Sequence, residues 1–547
     1  MPVTRARLIP AAWLLLAPQG LAAEPGAPPA AAPPAARPAA TGPAAPALVV
    51  EEATVAELQA GMASGRFTAR QLAEAYLARI AAVDPQLRSV LEVNPDALAI
   101  AGALDAERRD KGARGALHGI PVLLKDSIAT ADRMETTAGS LALVGVKPPR
   151  DAFVVERLRA AGAVILGKTN LSEWANIRSS HSSSGWSARG GQTRNPYALD
   201  RNPCGSSSGT GVAVAANLAA VGVGTETDGS IVCPSSATGL VGMKPTVGLV
   251  SRSGIVPIAA SQDTAGPMAR TVADAAALLT VLAGVDPADP ATAASRGRVP
   301  KDYTAFLDAD GLRGARIGVA RKKLFGISDA VDRLMEDAVA EMRRRGAVIV
   351  DPADIPHLGE YDEAELEVLL YELKAGMERY LADWAPGAPV RNLQDVIAFN
   401  QRHREEEMPY FGQDLFEKAA RKGPLTDRAY RRALAKARRL SRREGLDAVF
   451  DRHRLDAIVA PTGGPAWVTD LVNGDHFVLG SSTPAAVAGY PAVAVPAGQV
   501  FGLPVGITFM GRPWSEATLL RLAHAYEQAT RLRRPPRLAP EADLGVR

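Results

Sequence analysis

Lys125, Ser206 and Ser230 are the residues of this chain whose types and surroundings could carry covalent chemistry. Lys125 closes the apolar run IPVLLK. An amine at the end of such a run is held partly out of water, which favours its neutral form, and a neutral lysine can serve as general base where histidine does in other hydrolases. The competing reading is a lysine that carries its charged head to the surface. Ser206 and Ser230 lie in the two serine clusters of residues 202–245, NPCGSSSGTGVAVAANLAAVGVGTETDGSIVCPSSATGLVGMKP, the densest concentration of small residues in the chain. Glycine and serine at that density cost backbone entropy on ordering, so they collect where a chain turns tightly or comes close to a ligand.

Two other patterns match by spacing and fail by context. Residues 162–169 fit G-x-x-x-x-G-K-[ST], but the variable positions are Ala163, Val164, Ile165 and Leu166. They read as a strand rather than as a turn whose amides could cradle phosphate. Residues 205–209, GSSSG, fit the nucleophile elbow G-x-S-x-G, which needs a strand entering and a helix leaving. A helix can leave through GVAVAANLAA, whereas NPYALDRNPC enters with Pro196 and Pro203 and is no strand. A Ser-His-Asp esterase using Ser207 with His453, His476 or His524 is therefore the alternative from another class. The seven histidines show no metal-ligand spacing and there are only two cysteines, so neither metal nor cofactor is expected. Cys204 and Cys233 lie beside no motif histidine and read as small packed residues, able to pair if the chain is exported. Nothing in the sequence sets their separation in space.

The elements that must position these residues are legible in part. Residues 119–129 and 162–170 are short runs rich in Val, Ile and Leu, with helical periodicity at 152–161 between them. Strand, helix, strand in succession predicts an α/β fold with a largely buried sheet. Further strands are predicted at 241–243, 315–320, 347–350, 457–460 and 504–510, and helices at 272–282 and 516–531. Residues 53–85 predict a helical hairpin, restarted by Thr68 as N-cap and stopped by Pro85. The region 359–446 is long-helical and charged, a helical insertion whose charges mark solvated faces. Within it Tyr410–Asp414 is a candidate substrate-contacting loop.

With 62 basic and 59 acidic residues among 547, the net charge of +3 argues against nucleic acid or an electrostatic membrane partner. A small soluble substrate is the expectation. Arg5 and Arg7 precede an apolar run at 8–17 and small residues at 20–22, the layout of a secretory signal peptide over 1–23, too short to span a bilayer. Residues 24–50 are an Ala/Pro-rich linker, and 51–540 the catalytic domain. A periplasmic or secreted protein follows from that layout.

The blocks GIPVLLKD, GKTNLSEWA, NPCGSSSGTG, TETDGSIVCPSS, GLVGMKPTVGLVS and QDTAGPMARTVADAA resemble, in order, those of the amidase signature family. The resemblance spans roughly residues 51–531. It implies a large mixed central sheet flanked by helices on both faces, and an amide hydrolase working through an acyl-enzyme. It places a Ser-Ser-Lys triad on Lys125 as base, Ser206 as relay and Ser230 as nucleophile, with the backbone amides of Thr227, Asp228, Gly229 and Ser230 as oxyanion hole. It also implies a cis peptide between Gly205 and Ser206. Cys204 and Ser208 stand where the family's glycine-rich block has Gly, and Val232 where an arginine is frequent, which leaves the substrate open. TETDGSIVCP and SGWSARGGQTRNPY are similar in wording to bacterial peptide amidases, implying peptide C-terminal carboxamides as substrate. Small aliphatic or aryl amides are the alternative within the family.

Overall fold

A computed structural model describes residues 48–545. The signal peptide and nearly all of the linker expected from the sequence therefore lie outside the described residues. The strands in chain order are β1 (Val90–Val93), β2 (Pro121–Lys125), β3 (Val164–Thr169), β4 (Trp186–Ser187), β5 (Gly191–Gln192), β6 (Val221–Glu226), β7 (Val241–Lys244), β8 (Thr264–Ala269), β9 (Arg316–Val319), β10 (Val348–Val350), β11 (Ala457–Pro461), β12 (Ala492–Val500) and β13 (Leu503–Met510). Eleven of them form one sheet in the order β1-β3-β2-β6-β8-β7-β12-β13-β11-β9-β10, while β4 and β5 make a separate two-stranded ribbon. The sheet is mixed: β2 runs parallel to β3 and β6, and β9 parallel to β10 and β11, whereas β6–β8–β7–β12–β13 are joined antiparallel.

The apolar runs become strands because every residue of β2, β3, β6, β8 and β13 is buried. Leu123 and Leu124, both fully buried, each contribute about 1.5–3 kcal/mol on removal from water. At 162–169 the G-x-x-x-x-G-K-T match is β3 itself. Its Lys168 is buried and donates to Ile128 O and Thr136 Oγ1, both at 2.7 Å, so no phosphate cradle exists there.

At the N-terminal side, helices Val55–Ala63 and Ala69–Leu87 form the expected hairpin, with capping boxes at Thr54/Glu57 and Thr68/Gln71. Pro85 does not stop the second helix, which runs two residues further. Asp84 explains the late end: its carboxylate accepts from Ser89 N and Val90 N and draws the chain off the helix there. Residues 359–446 contain helices Asp362–Trp384, Leu393–Arg402, Arg404–Glu407, Asp414–Ala420 and Arg428–Ser441 and no strand. The helical run continues through Asp447–His453, past the expected boundary. A fully buried guanidinium ties this region down: Arg178 pairs with Glu173 and with Glu407 (3.7 Å), and Glu407 accepts from Ser140 Oγ (3.0 Å) and Leu141 N (2.7 Å). Among the described residues no helix is long and apolar enough to cross a membrane.

Candidate active site

The parallel register of β2 on β6 pairs Leu124 with Val223, which sets Lys125 at the end of β2 beside the end of β6. There the Lys125 Nζ donates to Ser206 Oγ (2.7 Å), Thr225 Oγ1 (2.9 Å) and Thr225 O (3.1 Å). The side chain is wholly buried, so it does not carry its head to the surface. Burial brings the ammonium down from 10.5 to about 7, opposed by the negative charges of Glu226 and Asp263. An amine in that range supplies a substantial neutral fraction near pH 7, which a general base requires.

The chain between Ser206 and Ser230 is helix Ser208–Ala215 followed by β6, not one apolar element. Both ends return to the same place. Ser207 N donates to Ser230 O (3.1 Å), which ties the loop carrying Ser206 to the loop carrying Ser230. The peptide bond between Gly205 and Ser206 is cis. Gly229 has φ +79 and a Cβ there would stand 3.0 Å from Ser482 Oγ, so glycine is required where the backbone turns into Ser230. Glu226 holds the far side of that turn, its Oε2 accepting from Ile231 N (2.7 Å) and Val232 N (3.0 Å). Asp263 accepts from Thr227 Oγ1 (2.6 Å), Ile258 N and Ala259 N (both 2.9 Å). Thr225, Glu226 and Asp263 are thus site residues that sequence reasoning did not single out. Thr225 and Glu226 lie in the quoted TETDGSIVCPSS block, and Asp263 lies in QDTAGPMARTVADAA, but only the spatial neighbours reveal their roles.

The elbow reading centred on Ser207 does not survive. Its hydroxyl is fully buried, donates to Thr225 O (3.0 Å) and accepts from Thr225 N (3.2 Å), so it bridges the backbone of β6. The candidate histidines have other neighbours: His476 Nε2 lies 3.1 Å from Asp470, and the carboxylate nearest His524 Nδ1 is that of Glu527, at 3.8 Å and beyond hydrogen-bond distance. The backbone carbonyl of His453 receives Arg316 at the far end of the sheet. None of residues 410–414, the candidate substrate-contacting loop, lines the pocket described below. Phe411 packs edge-on against Trp186 at 5.2 Å, and Asp414 accepts from Ser179 Oγ and Ser180 N.

Cys204 and Cys233 form a disulfide. It joins the residue two before Ser206 to the residue three after Ser230, so it spans the two loops covalently. Closing a loop of sequence separation 29 restricts the unfolded chain, a contribution of about 3.6 kcal/mol in the chain-entropy model. Replacing both cysteines by serine is expected to lower the urea midpoint accordingly, and adding reductant to the parent should move its midpoint to the variant's. Coincident midpoints for parent and variant without reductant would contradict this.

Beside the two loops opens a pocket of about 230 Å³, lined by Asn176, the disulfide, Asp228, Gly229, Trp467, Asp475, Phe477 and neighbouring residues. Gly205 from one loop and Gly229 from the other both reach its wall. A buried neutralisable lysine, a serine in contact with it, a second serine loop tied to the first and an adjoining pocket together make a site suited to acyl transfer.

Comparison with known proteins gives that chemistry a family. The amidase family model matches residues 71–520. The native peptide amidase of Stenotrophomonas maltophilia is 58% identical, covers 89% of this chain and 99% of its own, and superposes with a TM-score of 0.86. A probable amidase of Arabidopsis thaliana is 43% identical over 89% of this chain and 92% of that protein. A putative amidase of Schizosaccharomyces pombe is 37% identical over 90% of this chain and 87% of that protein. The large mixed sheet flanked by helices and these matches agree: the chain belongs to the amidase signature family and is a hydrolase acting on amide bonds.

Proposed function

We propose that this enzyme removes the C-terminal carboxamide of peptides, using Ser230 as nucleophile, Ser206 as proton relay and Lys125 as base. The observation that carries the reading is the 2.7 Å contact between the buried Lys125 Nζ and Ser206 Oγ. A neutral amine has two N–H bonds and one lone pair. The ammonium donates to Ser206 Oγ, Thr225 Oγ1 and Thr225 O; once it has lost one proton, Thr225 O and Thr225 Oγ1 hold the two remaining N–H bonds and the lone pair faces the Ser206 hydroxyl, which then donates.

In the reaction Lys125 takes the Ser206 proton as Ser206 takes that of Ser230. Ser230 Oγ attacks the amide carbon, and the carbonyl π pair moves onto oxygen, where the amides of Thr227 to Ser230 receive it. Collapse breaks the C–N bond while the stored proton returns through Ser206 to the leaving nitrogen, releasing ammonia. Water then enters by the same relay, cleaves the acyl-enzyme and frees the acid and Ser230. These steps are carried by protein side chains and backbone alone.

The high identity to a peptide amidase favours peptide substrates over small amides. Ammonia release from a panel of N-acylated peptide amides, aliphatic amides and aryl amides tests this. Peptide amides are expected to have kcat/KM about 10- to 100-fold higher, the range that pocket contacts supply. The reverse ranking would assign the enzyme to small amides within the same family. Export is part of the proposal: the Arg5/Arg7 leader layout and the Cys204–Cys233 disulfide both fit an oxidising compartment.

A further inference from the structure

Four of the fifteen large hydrophobic side chains exposed among the described residues fall on one loop, residues 467–478. They are Val468 (50% exposed), Val472 (87%), Phe477 (50%) and Val478 (73%). Single exposed apolar residues need no explanation, whereas a cluster of them marks a surface that something covers. This loop also reaches the pocket beside the two serine loops: Trp467 and Phe477 line it together with Gly205 and Gly229.

The loop is fastened at both arms. Trp467 O accepts from Asn202 N (2.8 Å) and Thr469 N donates to Asp200 O (3.0 Å), which holds one arm to the chain leading into Cys204. Asp475 anchors the other, accepting from Ser184 N (2.9 Å) and from Trp467 Nε1 (3.3 Å). The Trp467 and Phe477 rings meet edge to face with centroids 5.8 Å apart. Gly480 lets the Phe477 ring lie against the backbone, since a Cβ there would stand 2.4 Å from Phe477 Cζ. An aromatic ring kept in one position and still half in water is a preformed apolar contact for whatever occupies the pocket.

We propose that Phe477, backed by Trp467, is a specificity determinant whose ring takes the apolar side chain of the C-terminal residue of a peptide amide. This rests on the peptide-amide reading above and names its substrate class: peptides whose amidated residue is aromatic or large aliphatic. An acyl group joined to Ser230 starts beside Gly229, and the carbon bearing the side chain comes next, so that side chain stays within the same pocket of about 230 Å³. The large apolar side chains on its wall are Trp467, Phe477 and Val232. An apolar substrate side chain removes the exposed part of the Phe477 ring from water, and a glycine amide leaves it wet. The contact is the same in ground and transition states, so it acts on KM rather than on kcat.

The test measures ammonia release from N-acetyl-alanyl dipeptide amides ending in phenylalanine, leucine or glycine, with the parent, Phe477→Ala and Phe477→Leu. In the parent, kcat/KM for the phenylalanine and leucine amides is expected to exceed that for the glycine amide about tenfold or more, the scale of an apolar pocket contact. Phe477→Ala should lower the two larger values about tenfold, through KM, and move the glycine value by less than about twofold. Phe477→Leu, which keeps an apolar surface, should bring them back to within about threefold of the parent. Equal values for the three amides in the parent, or an equal loss for all three in Phe477→Ala, would overturn the proposal. The parent's ranking needs no change at Phe477, so a poorly folding variant does not rescue the idea. If no peptide amide is turned over, the peptide reading fails on its own, and the same comparison with 3-phenylpropionamide and acetamide decides the role of Phe477.

Discussion

Ser230→Ala is expected to lower kcat for amide hydrolysis by on the order of 10⁴- to 10⁶-fold while the protein stays folded. Under the proposed mechanism the loss is that large because the acyl-enzyme cannot form without the hydroxyl, leaving only the residual contribution of the oxyanion amides and binding. Stability should change by about 1 kcal/mol or less, since a single hydroxyl is removed from a residue beside the pocket. Far-UV circular dichroism and a burst of ammonia in single-turnover mixing separate the two effects. Ser207→Ala is the contrasting variant: its hydroxyl bridges Thr225 O and Thr225 N, so its loss should cost about 1–2 kcal/mol of stability and leave the chemistry in place. Full activity in Ser230→Ala with loss in Ser207→Ala would restore the nucleophile-elbow reading.

Lys125→Ala is expected to reduce kcat on the order of 10³- to 10⁴-fold and to change the shape of the pH profile. In the parent, kcat/KM should rise tenfold per pH unit below about pH 7 and level off above it, because the proposed relay needs the neutral amine and burial sets that amine near 7. The variant should lose this limb. An acid limb that persists unchanged in Lys125→Ala would assign it to another group. The same shift has a sign for stability. The folded value lies below the unfolded 10.5, so between about pH 7 and 10.5 the unfolded chain binds more protons and this group's contribution rises with pH. Below pH 7 the full cost of a buried ammonium is present. Melting temperatures of Lys125→Ala should therefore climb less across that window than those of the parent.

Two strands of branched residues next to the site were readable, and two of small residues beside them were not. IPVLLK and GAVILGKT announce β2 and β3. VGVGTE, which is β6, and TAGPMA, which is β8, do not, although both lie at the middle of the sheet beside the site. Their glycines are demanded by neighbours: a Cβ at Gly222 would stand 2.6 Å from Thr210 Cγ2, and one at Gly224 2.8 Å from Met268 Sδ and 2.9 Å from Ser207 Oγ. Close approach of the helix carrying Ser208 to β6 requires small residues, and small residues carry a weak strand signal. Pro85 is a different case: the helix carries it inside its last turn, and the stop came from Asp84 reaching Ser89 and Val90 instead.

By itself the sequence determined the chemistry's ingredients. A lysine closing a buried run, two serines 24 positions apart in glycine-rich surroundings, and ordered blocks resembling the amidase signature family are all properties of local order along the chain. Which groups touch was decided only in three dimensions. Lys125 meets Ser206 across 81 residues and Thr225 across 100, because β2 and β6 are neighbours in the sheet. The Cys204–Cys233 bond and the commitment of Ser207 to β6 arise from the same folding back of the chain. Residue type sets what a group can do, whereas burial and neighbours set its protonation and its partner, and those are properties of the packed sheet rather than of spacing.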